Sequence, residues 1–211
     1  MGGYYQSAYL VLSALDSADA RDGFLRPRPD LNLTVSSADG KLRIRAQPPT
    51  RKQIFKRAAL NKRGWALQER MLATRILHYS HTELFWECLN CTAREGSVGT
   101  MGYQINSGLI VDSDGDDLKA SLYNTGTDPF SIEDGSFSLW YRIVKLYSRK
   151  TLSHSSDKMA AVAGLAAMIA DKESARYNFG LWEQDIHDLT WTKATYTAAR
   201  LENFPTWSWL S

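Results

Sequence analysis

Two carboxylates are the residues of this sequence with the clearest capacity for chemistry. Glu69 and Glu87 each lie close in sequence to a tryptophan. A carboxyl group beside a large ring in a cleft can have a raised pKa, which suits it to acid–base catalysis. The alternative is a structural carboxylate that pairs with a neighbouring arginine, Arg70 or Arg75. The catalytic residues are therefore unknown, with Glu69 and Glu87 as the candidates.

A second group of residues carries the side chains that zinc binds. His78 and His81 are followed by Cys88 and Cys91, and structural zinc takes four such donors in a tetrahedron. Only six residues separate the two pairs, whereas usual sites leave about a dozen or more. The same stretch also has the pattern of a hairpin. We therefore expect hairpin residues here, with no metal and no cofactor. Cys88 as a catalytic nucleophile would need a base, and no local pattern supplies one.

A basic run lies in the first third of the chain, although Lys and Arg (25) nearly balance Asp and Glu (23) overall. Such a run could neutralise nucleic-acid phosphates, but Phe55 is the one aromatic ring within it. We expect a solvated face or a contact with an acidic partner, and nucleic-acid binding through residues 41–63 is kept as an alternative. The nine bases of this run are Lys41, Arg43, Arg45, Arg51, Lys52, Lys56, Arg57, Lys62 and Arg63.

The elements that must position these side chains form an α+β pattern. Residues 8–15 are apolar and predict a buried strand. The alternation at 41–45 predicts a half-buried or edge strand with Leu42 and Ile44 inward. Residues 61–72 predict a short helix with Asn61 as its N-cap. Residues 75–88 predict a β-hairpin, which would carry both the histidines and the cysteines.

The second half of the chain changes in character. Residues 96–136 are rich in Gly, Ser, Asp, Asn and Thr and predict a variable loop or insertion. Apolar periodicity predicts a helix over 137–147 and another that begins near Ser156. A third helix is expected over 181–191 and a final tryptophan-rich strand over 206–210.

Composition excludes several classes of protein. The chain has 211 residues, of which 44% are hydrophobic and 23% charged, as in ordinary globular domains. Two cysteines exclude a disulfide framework. The N-terminus lacks the pattern of a signal peptide, and the longest apolar run, 159–170, is about half of what a membrane helix needs. We therefore expect an intracellular, cytoplasmic protein without a membrane segment.

Three motifs together resemble the fungal heterokaryon incompatibility (HET) domain family. Residues 63–70 read Arg-Gly-Trp-Ala-Leu-Gln-Glu-Arg, residues 75–78 read Arg-Ile-Leu-His, and residues 83–88 read Glu-Leu-Phe-Trp-Glu-Cys. Their order and spacing are similar to those of the family. The signature residues are Trp65, Gln68, Glu69, Phe85, Trp86, Glu87 and Cys88.

Flanking segments extend the resemblance along nearly the whole chain, except for residues 96–136. The family's N-terminal Ser-Tyr-x-Trp-Gly and Asp-x-x-Cys-Ile motifs do not occur, so the likeness is to the C-terminal portion of the domain. The flanking segments are residues 8–15, Gly23-Phe24-Leu25, Asp157-Lys158, Gly164-Leu165-Ala166, Tyr177, Gly180-Leu181-Trp182 and the Pro-Thr-Trp-Ser-Trp of 205–209.

The resemblance implies an organisation in three parts. Residues 1–95 would be the C-terminal part of a HET domain, residues 96–136 an insertion, and residues 137–211 a helical extension that ends in a tryptophan-rich strand. The fold would be a fragment of an α/β, TIR-like domain. Its partner would be another protein or the N-terminal half of the domain, in an oligomeric state that the sequence does not define.

The resemblance also implies a function. HET domains act in fungal non-self recognition and trigger programmed cell death, here expected to proceed through protein–protein contacts. Because HET domains are thought to be similar to TIR domains, some of which cleave NAD, an NAD hydrolase with Glu69 or Glu87 as acid–base residue is the alternative. The missing N-terminal motifs favour the first expectation.

Overall fold

The computed structural model describes residues 2–29, 32–37, 40–45, 49–95, 104–105, 116–123, 136–185 and 204–210. These residues form an α+β fold, as the sequence predicts. The helices are α1 (Gly2–Ser7), α2 (Arg51–Arg57), α3 (Gly64–Leu72), α4 (Asp116–Tyr123), α5 (Ser136–Tyr147) and α6 (Ala160–Glu173). The strands are β1 (Val11–Ala14), β2 (Asn32–Ser37), β3 (Gly40–Arg45), β4 (Arg75–Tyr79), β5 (Leu84–Cys88), β6 (Cys91–Arg94), β7 (Gln104–Ile105), β8 (Tyr177–Asn178) and β9 (Leu181–Trp182).

The central sheet has the strand order β1-β4-β5-β6-β7. The pairs from β4 to β7 are antiparallel, whereas β1 runs parallel to β4. A parallel pair needs a long crossover connection, and here the crossover contains the β2–β3 hairpin, α2 and α3. This topology brings residues from the crossover helices onto the sheet.

One face of the sheet is covered by α2. Ile54 and Phe55 of this helix form a small core with Leu15, Ala58 and Phe85. Thr50 caps α2 through a reciprocal pair of hydrogen bonds with Gln53, which fixes where the helix starts. We call this covered side the inner face of the sheet.

The opposite side, the outer face, carries a row of apolar residues in register across four strands. Leu12 lies opposite Leu77, Leu77 opposite Trp86, and Trp86 opposite Ala93. Leu12 is 54% exposed, and the other three side chains are half-buried. We call these four residues the outer row.

A second and larger core joins the helices. Leu67 and Leu72 of α3 pack with Trp140 of α5 and with Val162 and Leu165 of α6, all within one buried cluster. Helix α4 also contributes to this cluster through Leu118 and Leu122. This core therefore contains residues from each of the three predicted parts of the chain, 1–95, 96–136 and 137–211.

Several local predictions are confirmed. The alternating stretch at 41–45 lies in β3, residues 75–88 form the β4–β5 hairpin, and the periodic stretch at 137–147 lies in α5. The inward position predicted for Ile44 is wrong, because this side chain is 47% exposed. Among the described residues, every helix falls short of the length and hydrophobicity needed to cross a bilayer.

Other local predictions are wrong. Within the stretch 8–15, only β1 (Val11–Ala14) is a strand, and it is an edge strand rather than a buried one, because it has a single neighbour among the described strands. Asn61 does not cap α3; it lies in a 3-10 turn and its side chain donates a hydrogen bond to the Phe55 carbonyl. Ser156 also lies in a 3-10 turn, and α6 begins later, at Ala160.

The C-terminal predictions are wrong where the structure describes these residues. Residues 181–182 form β9 instead of a helix, while 186–191 lie outside the described residues. Residues 206–210 form turns rather than a strand. These turns let Trp209 donate to the Gly180 carbonyl at 2.8 Å, and Trp140 donates to the same oxygen at 2.9 Å.

Gly180 should therefore tolerate substitution poorly. Its φ is +95°, and an added Cβ would lie 2.6 Å from the indole nitrogen of Trp209. Gly23 is the matched control, because its φ is +62° but nothing lies within 4 Å of an added Cβ. Since overpacking a filled site costs about 1–3 kcal/mol, we expect Gly180→Ala to lower the free energy of unfolding by about that much more than Gly23→Ala. Urea unfolding of both variants measures the difference; equal losses would contradict it.

Candidate functional site: a buried carboxylate among basic side chains

The site is built on the inner face of the central sheet. Because side chains alternate along a strand, Glu87 of β5 lies on the same face as Phe85. It is in register with Ile76 of β4 and Thr92 of β6. The side chain of Glu87 is 3% exposed, so its charge is removed from water.

Four basic side chains surround the Glu87 carboxylate, and we call the five residues the Glu87 cluster. Arg70 of α3 donates to Oε2 from Nη2 at 2.8 Å and from Nε at 3.0 Å. Arg51 of α2 donates to the same oxygen at 2.8 Å. Lys119 of α4 donates from Nζ to Oε1 at 3.0 Å, and Nε2 of His78 lies 3.3 Å from Oε2.

The electrostatic balance of the cluster keeps Glu87 ionised. Burial alone would raise the pKa of Glu87, but the charges of Arg70 and Lys119 and the hydrogen bond from His78 hold it well below its usual value. The Lys119 side chain is only 4% exposed, so this attraction acts with little screening by water. Glu87 is therefore a carboxylate that accepts hydrogen bonds and has no proton to donate near neutral pH.

His78 is neutral near pH 7. Burial lowers its pKa, although Glu87 acts in the opposite direction. Because the carboxylate can only accept, the ring donates from Nε2, and Nδ1 has no hydrogen-bond partner among the described residues. The Phe55 ring packs edge-on against His78 at 4.9 Å between centroids, which excludes water from this side.

Phe55 also orders the two arginines of the cluster. The guanidinium carbons of Arg51 and Arg70 lie 4.9 Å and 4.7 Å from the centre of its ring. A cation over an aromatic face is attracted by the ring quadrupole, with an energy of about 0.5–2 kcal/mol. The ring thus holds both arginines in the orientation in which they reach Glu87.

Glu69, the second candidate acid–base residue, has a different environment. It lies near the hydroxyl of Tyr5; burial and, to a smaller extent, the charge of Glu69 raise the pKa of Tyr5. Glu69 is half-buried on α3. The two candidate glutamates therefore have separate surroundings: Glu69 lies near Tyr5 of α1, and Glu87 lies in the Glu87 cluster.

The other signature residues make structural contacts. The Trp65 indole donates to Asp157 at 3.1 Å, and the Gln68 side-chain oxygen accepts from the Gly164 backbone N–H at 2.6 Å. Phe85 is fully buried in the small core, and Trp86 lies in the outer row.

The histidines and cysteines considered for zinc point to different partners. His78 contacts Glu87, while the backbone N–H and Nδ1 of His81 both lie within 2.8 Å of Asp16. The two cysteines instead contact each other, with Cys88 Sγ 3.5 Å from Cys91 Sγ. The four side chains are hairpin residues, as the sequence predicts, and they do not converge on one point.

The bases of the run that lie on α2 point to two different sides of the helix. Arg51 turns inward to Glu87, whereas Lys52, Lys56 and Arg57 are exposed on the solvent side of the helix. The side chains of the bases in β3 lie outside the described residues. The exposed bases form a solvated face, which is where a charged partner would meet them.

A cavity of about 140 Å³ opens beside the N-terminus of α3. Sites for drug-sized ligands usually enclose about 300–1,000 Å³, so this one could hold only a small group. Neither Glu69 nor Glu87 lines it. Its lining residues are Arg63, Gly64, Trp65, Thr151, Leu152 and Ser153.

Comparison of the chain with models of protein families, with curated proteins and with solved structures finds no match.

The sequence identifies Glu87 but not most of its partners. Arg70 is a partner that sequence proximity suggests, whereas Arg51 falls in the basic run and Lys119 in the stretch predicted as a loop. The spacing of Leu118 and Leu122, four residues apart, is a helical signal that could have placed α4 and hence Lys119. The predicted acid–base role rested on a raised pKa of the carboxyl; the structure gives Glu87 a lowered one.

Removal of the charge at Glu87 should destabilise the fold strongly. Glu87→Gln leaves Arg51, Arg70 and Lys119 buried without their common counter-ion, which typically costs about 3–5 kcal/mol. Glu95→Gln is the control, because Glu95 pairs with Arg28 at the surface, where an ion pair contributes about 0–1 kcal/mol. Urea unfolding at neutral pH compares the two, and a loss below about 1 kcal/mol for Glu87→Gln would contradict the central role of this carboxylate.

The neutral His78 should make stability depend on pH. Its pKa is lower in the folded chain than in the unfolded chain, so the unfolded state binds the proton first as the pH falls. We therefore expect stability to be complete above about pH 7 and to decline as the pH falls below about 6.5.

His78→Gln tests this expectation, because glutamine keeps an N–H donor for Glu87 and does not titrate. The free energy of unfolding of this variant should change less between about pH 7 and about pH 5 than that of the native chain. Equal changes in both proteins would contradict the assignment of this dependence to His78.

Proposed function

We propose that this chain forms the C-terminal part of a HET-type, TIR-like domain and acts in the cytoplasm of fungal cells, in non-self recognition and programmed cell death, through protein–protein contacts. The observation that carries the proposal is that the separate motifs of the resemblance contact one another in the fold. A chance likeness of scattered motifs would give no reason for their residues to meet in space.

The first set of these contacts joins the motif at 63–70 to the downstream motifs. Trp65 bonds to Asp157, and Gln68 bonds to the backbone of Gly164, almost a hundred residues later. An added Cβ at Gly164 would lie 2.8 Å from the Gln68 oxygen, so α3 and α6 approach closely at this point.

The second set joins the last two motifs. Gly180 accepts the indole N–H of Trp209, and the Ser208 hydroxyl donates to the Phe179 carbonyl. Lys158 donates from Nζ to the Leu210 carbonyl at 2.9 Å, which links this end of the chain to the start of α6. Five motifs spread over residues 63–209 are thus connected by these contacts.

The outer face of the sheet is the surface that would receive a partner. A mainly antiparallel sheet can leave one face to water, and Leu12 of the outer row, a large apolar side chain, is 54% exposed. The parallel strand β1, which carries Leu12, lies at the edge of the described sheet. The occupant that we propose is the N-terminal half of a HET-type domain, whose strands would continue the sheet beyond β1 and whose helices would cover the outer row.

The alternatives draw less support from the geometry. An NAD hydrolase would need an acid–base carboxylate that reaches a substrate, whereas Glu87 is buried, ionised and bonded to four basic side chains. Nucleic-acid binding would rest on Lys52, Lys56 and Arg57 of α2, which a solvated surface explains equally well. Release of nicotinamide from NAD by the purified chain, lost in Glu69→Gln, would favour the enzyme over the contact-based function.

Expression of the chain in a filamentous fungus tests the proposal. We expect the native chain to arrest growth and admit a vital dye, and Leu12→Glu to abolish the effect, because a charge on the outer row opposes burial by a partner. Ile44→Glu is the matched control, since Ile44 is 47% exposed on β3, outside the central sheet.

All three proteins must accumulate to the same level, as judged by immunoblot. The absence of cell death with the native chain would count against the proposed signalling role. Equal killing by Leu12→Glu and the native chain would show that the outer row is not the contact surface.

A further inference from the structure

We propose that Cys88 and Cys91 form a reversible dithiol–disulfide pair, a redox-sensitive modification site at the turn between β5 and β6. This inference is independent of the proposed function, because it rests on the geometry of the hairpin alone. It assigns to the two thiols a chemistry that neither the zinc interpretation nor the role of Cys88 in the family signature includes.

The hairpin register brings the two cysteines together. Strand β5 ends at Cys88, β6 begins at Cys91, and the preceding pair across the strands is Glu87 with Thr92. The cysteines therefore flank a two-residue turn and lie directly opposite each other. Opposed residues in an antiparallel pair have Cα atoms about 5.5 Å apart or closer, within the range of about 4.4–6.8 Å that a disulfide spans.

The sulfur atoms are already in contact. The distance from Cys88 Sγ to Cys91 Sγ is 3.5 Å, whereas a disulfide bond measures about 2.0 Å. A movement of about 1.5 Å closes the bond, and small rotations about the two side-chain torsions supply it. The strands need not separate or slide for the bond to form.

Reagents can reach both thiols. Each side chain is partly exposed, and both lie on the outer face, since Cys88 follows Trp86 by two residues along β5. Fully buried cysteines are inert, whereas these two are open to reagents from the outer face.

The two thiols are unequal, which sets the order of reaction. Burial would raise the pKa of Cys88, but the backbone N–H groups of Asn90 and Cys91 stabilise its thiolate and bring the pKa below the usual value. Burial and the neighbouring Cys88 raise the pKa of Cys91. Because the thiolate is the attacking species, Cys88 reacts first and Cys91 resolves.

The oxidant is a low-molecular-weight disulfide, such as oxidised glutathione. The Cys88 thiolate attacks one sulfur of that disulfide, forms a mixed disulfide and expels one thiolate. Cys91 then loses its proton and attacks Cys88 Sγ, which forms the Cys88–Cys91 bond and expels the second thiolate. Two protein thiols are thus oxidised by two electrons, and one small disulfide is reduced to two thiols.

A bond at this place would act as a switch rather than as a structural support. The loop that it closes is very short, so the entropy that it removes from the unfolded chain is small. Disulfides in exposed positions are generally the labile ones. The bond would also stiffen the end of β5 directly next to Glu87 and so fix one end of the strand that carries the Glu87 cluster.

Equilibration of the full chain in buffers of graded reduced and oxidised glutathione tests the proposal. After an acid quench and alkylation with iodoacetamide, mass spectrometry counts the thiols. We expect the folded monomer to pass from two alkylated thiols to none, at a more reducing ratio than the same chain in urea. The proposal is overturned if the folded chain stays reduced where the unfolded chain is oxidised, or if the disulfides join two chains.

Single variants test the order of reaction. In Cys91→Ser the mixed disulfide at Cys88 has no resolving thiol, so glutathionylated protein should accumulate. In Cys88→Ser the remaining thiol should react more slowly, because less of it is thiolate. Equal rates in the two variants would overturn the assignment of Cys88 as the attacking residue.

Discussion

The charge on Glu87 is the constraint on which the rest of the structure depends. A buried carboxylate is tolerated only when nearby cations and hydrogen bonds replace the water that it loses, and here those groups come from α2, α3, α4 and β4. The need to keep these groups around Glu87 also fixes the register of β5, because a slip of one residue would move Glu87 to the outer face. One charge therefore fixes the place of three helices on the sheet.

Helix α3 connects this sheet to the helical core. Its Arg70 reaches Glu87 on one side, while Gln68 bonds to α6 and Trp65 bonds to Asp157 on the other. Three residues of one helix thus join two layers of the fold, and their loss would weaken the attachment of the sheet to the helical core.

Local patterns predicted the elements that depend on local interactions. The β4–β5 hairpin and α5 follow from alternation and periodicity, whereas the exposure of β1 and the turns at 206–210 are set by neighbours distant in sequence. The same holds for the site. Glu87 was identified beside its tryptophan, but its low pKa depends on Arg51 and Lys119, which no spacing rule connects to it. The HET-type assignment remains a prediction, carried by the contacts between its motifs.

The parallel pairing of β1 with β4 has a consequence for the route by which the chain folds. Strands β4, β5 and β6 follow one another through short turns and can pair early, because little loop entropy opposes them. Strand β1 can pair with β4 only after about sixty intervening residues have closed into the crossover. Contacts between residues so far apart in sequence form slowly. Until then, the β4 edge and the apolar side chains that β1 covers stay accessible, which makes assembly of this strand the step at which the nascent chain is most exposed to wrong pairing.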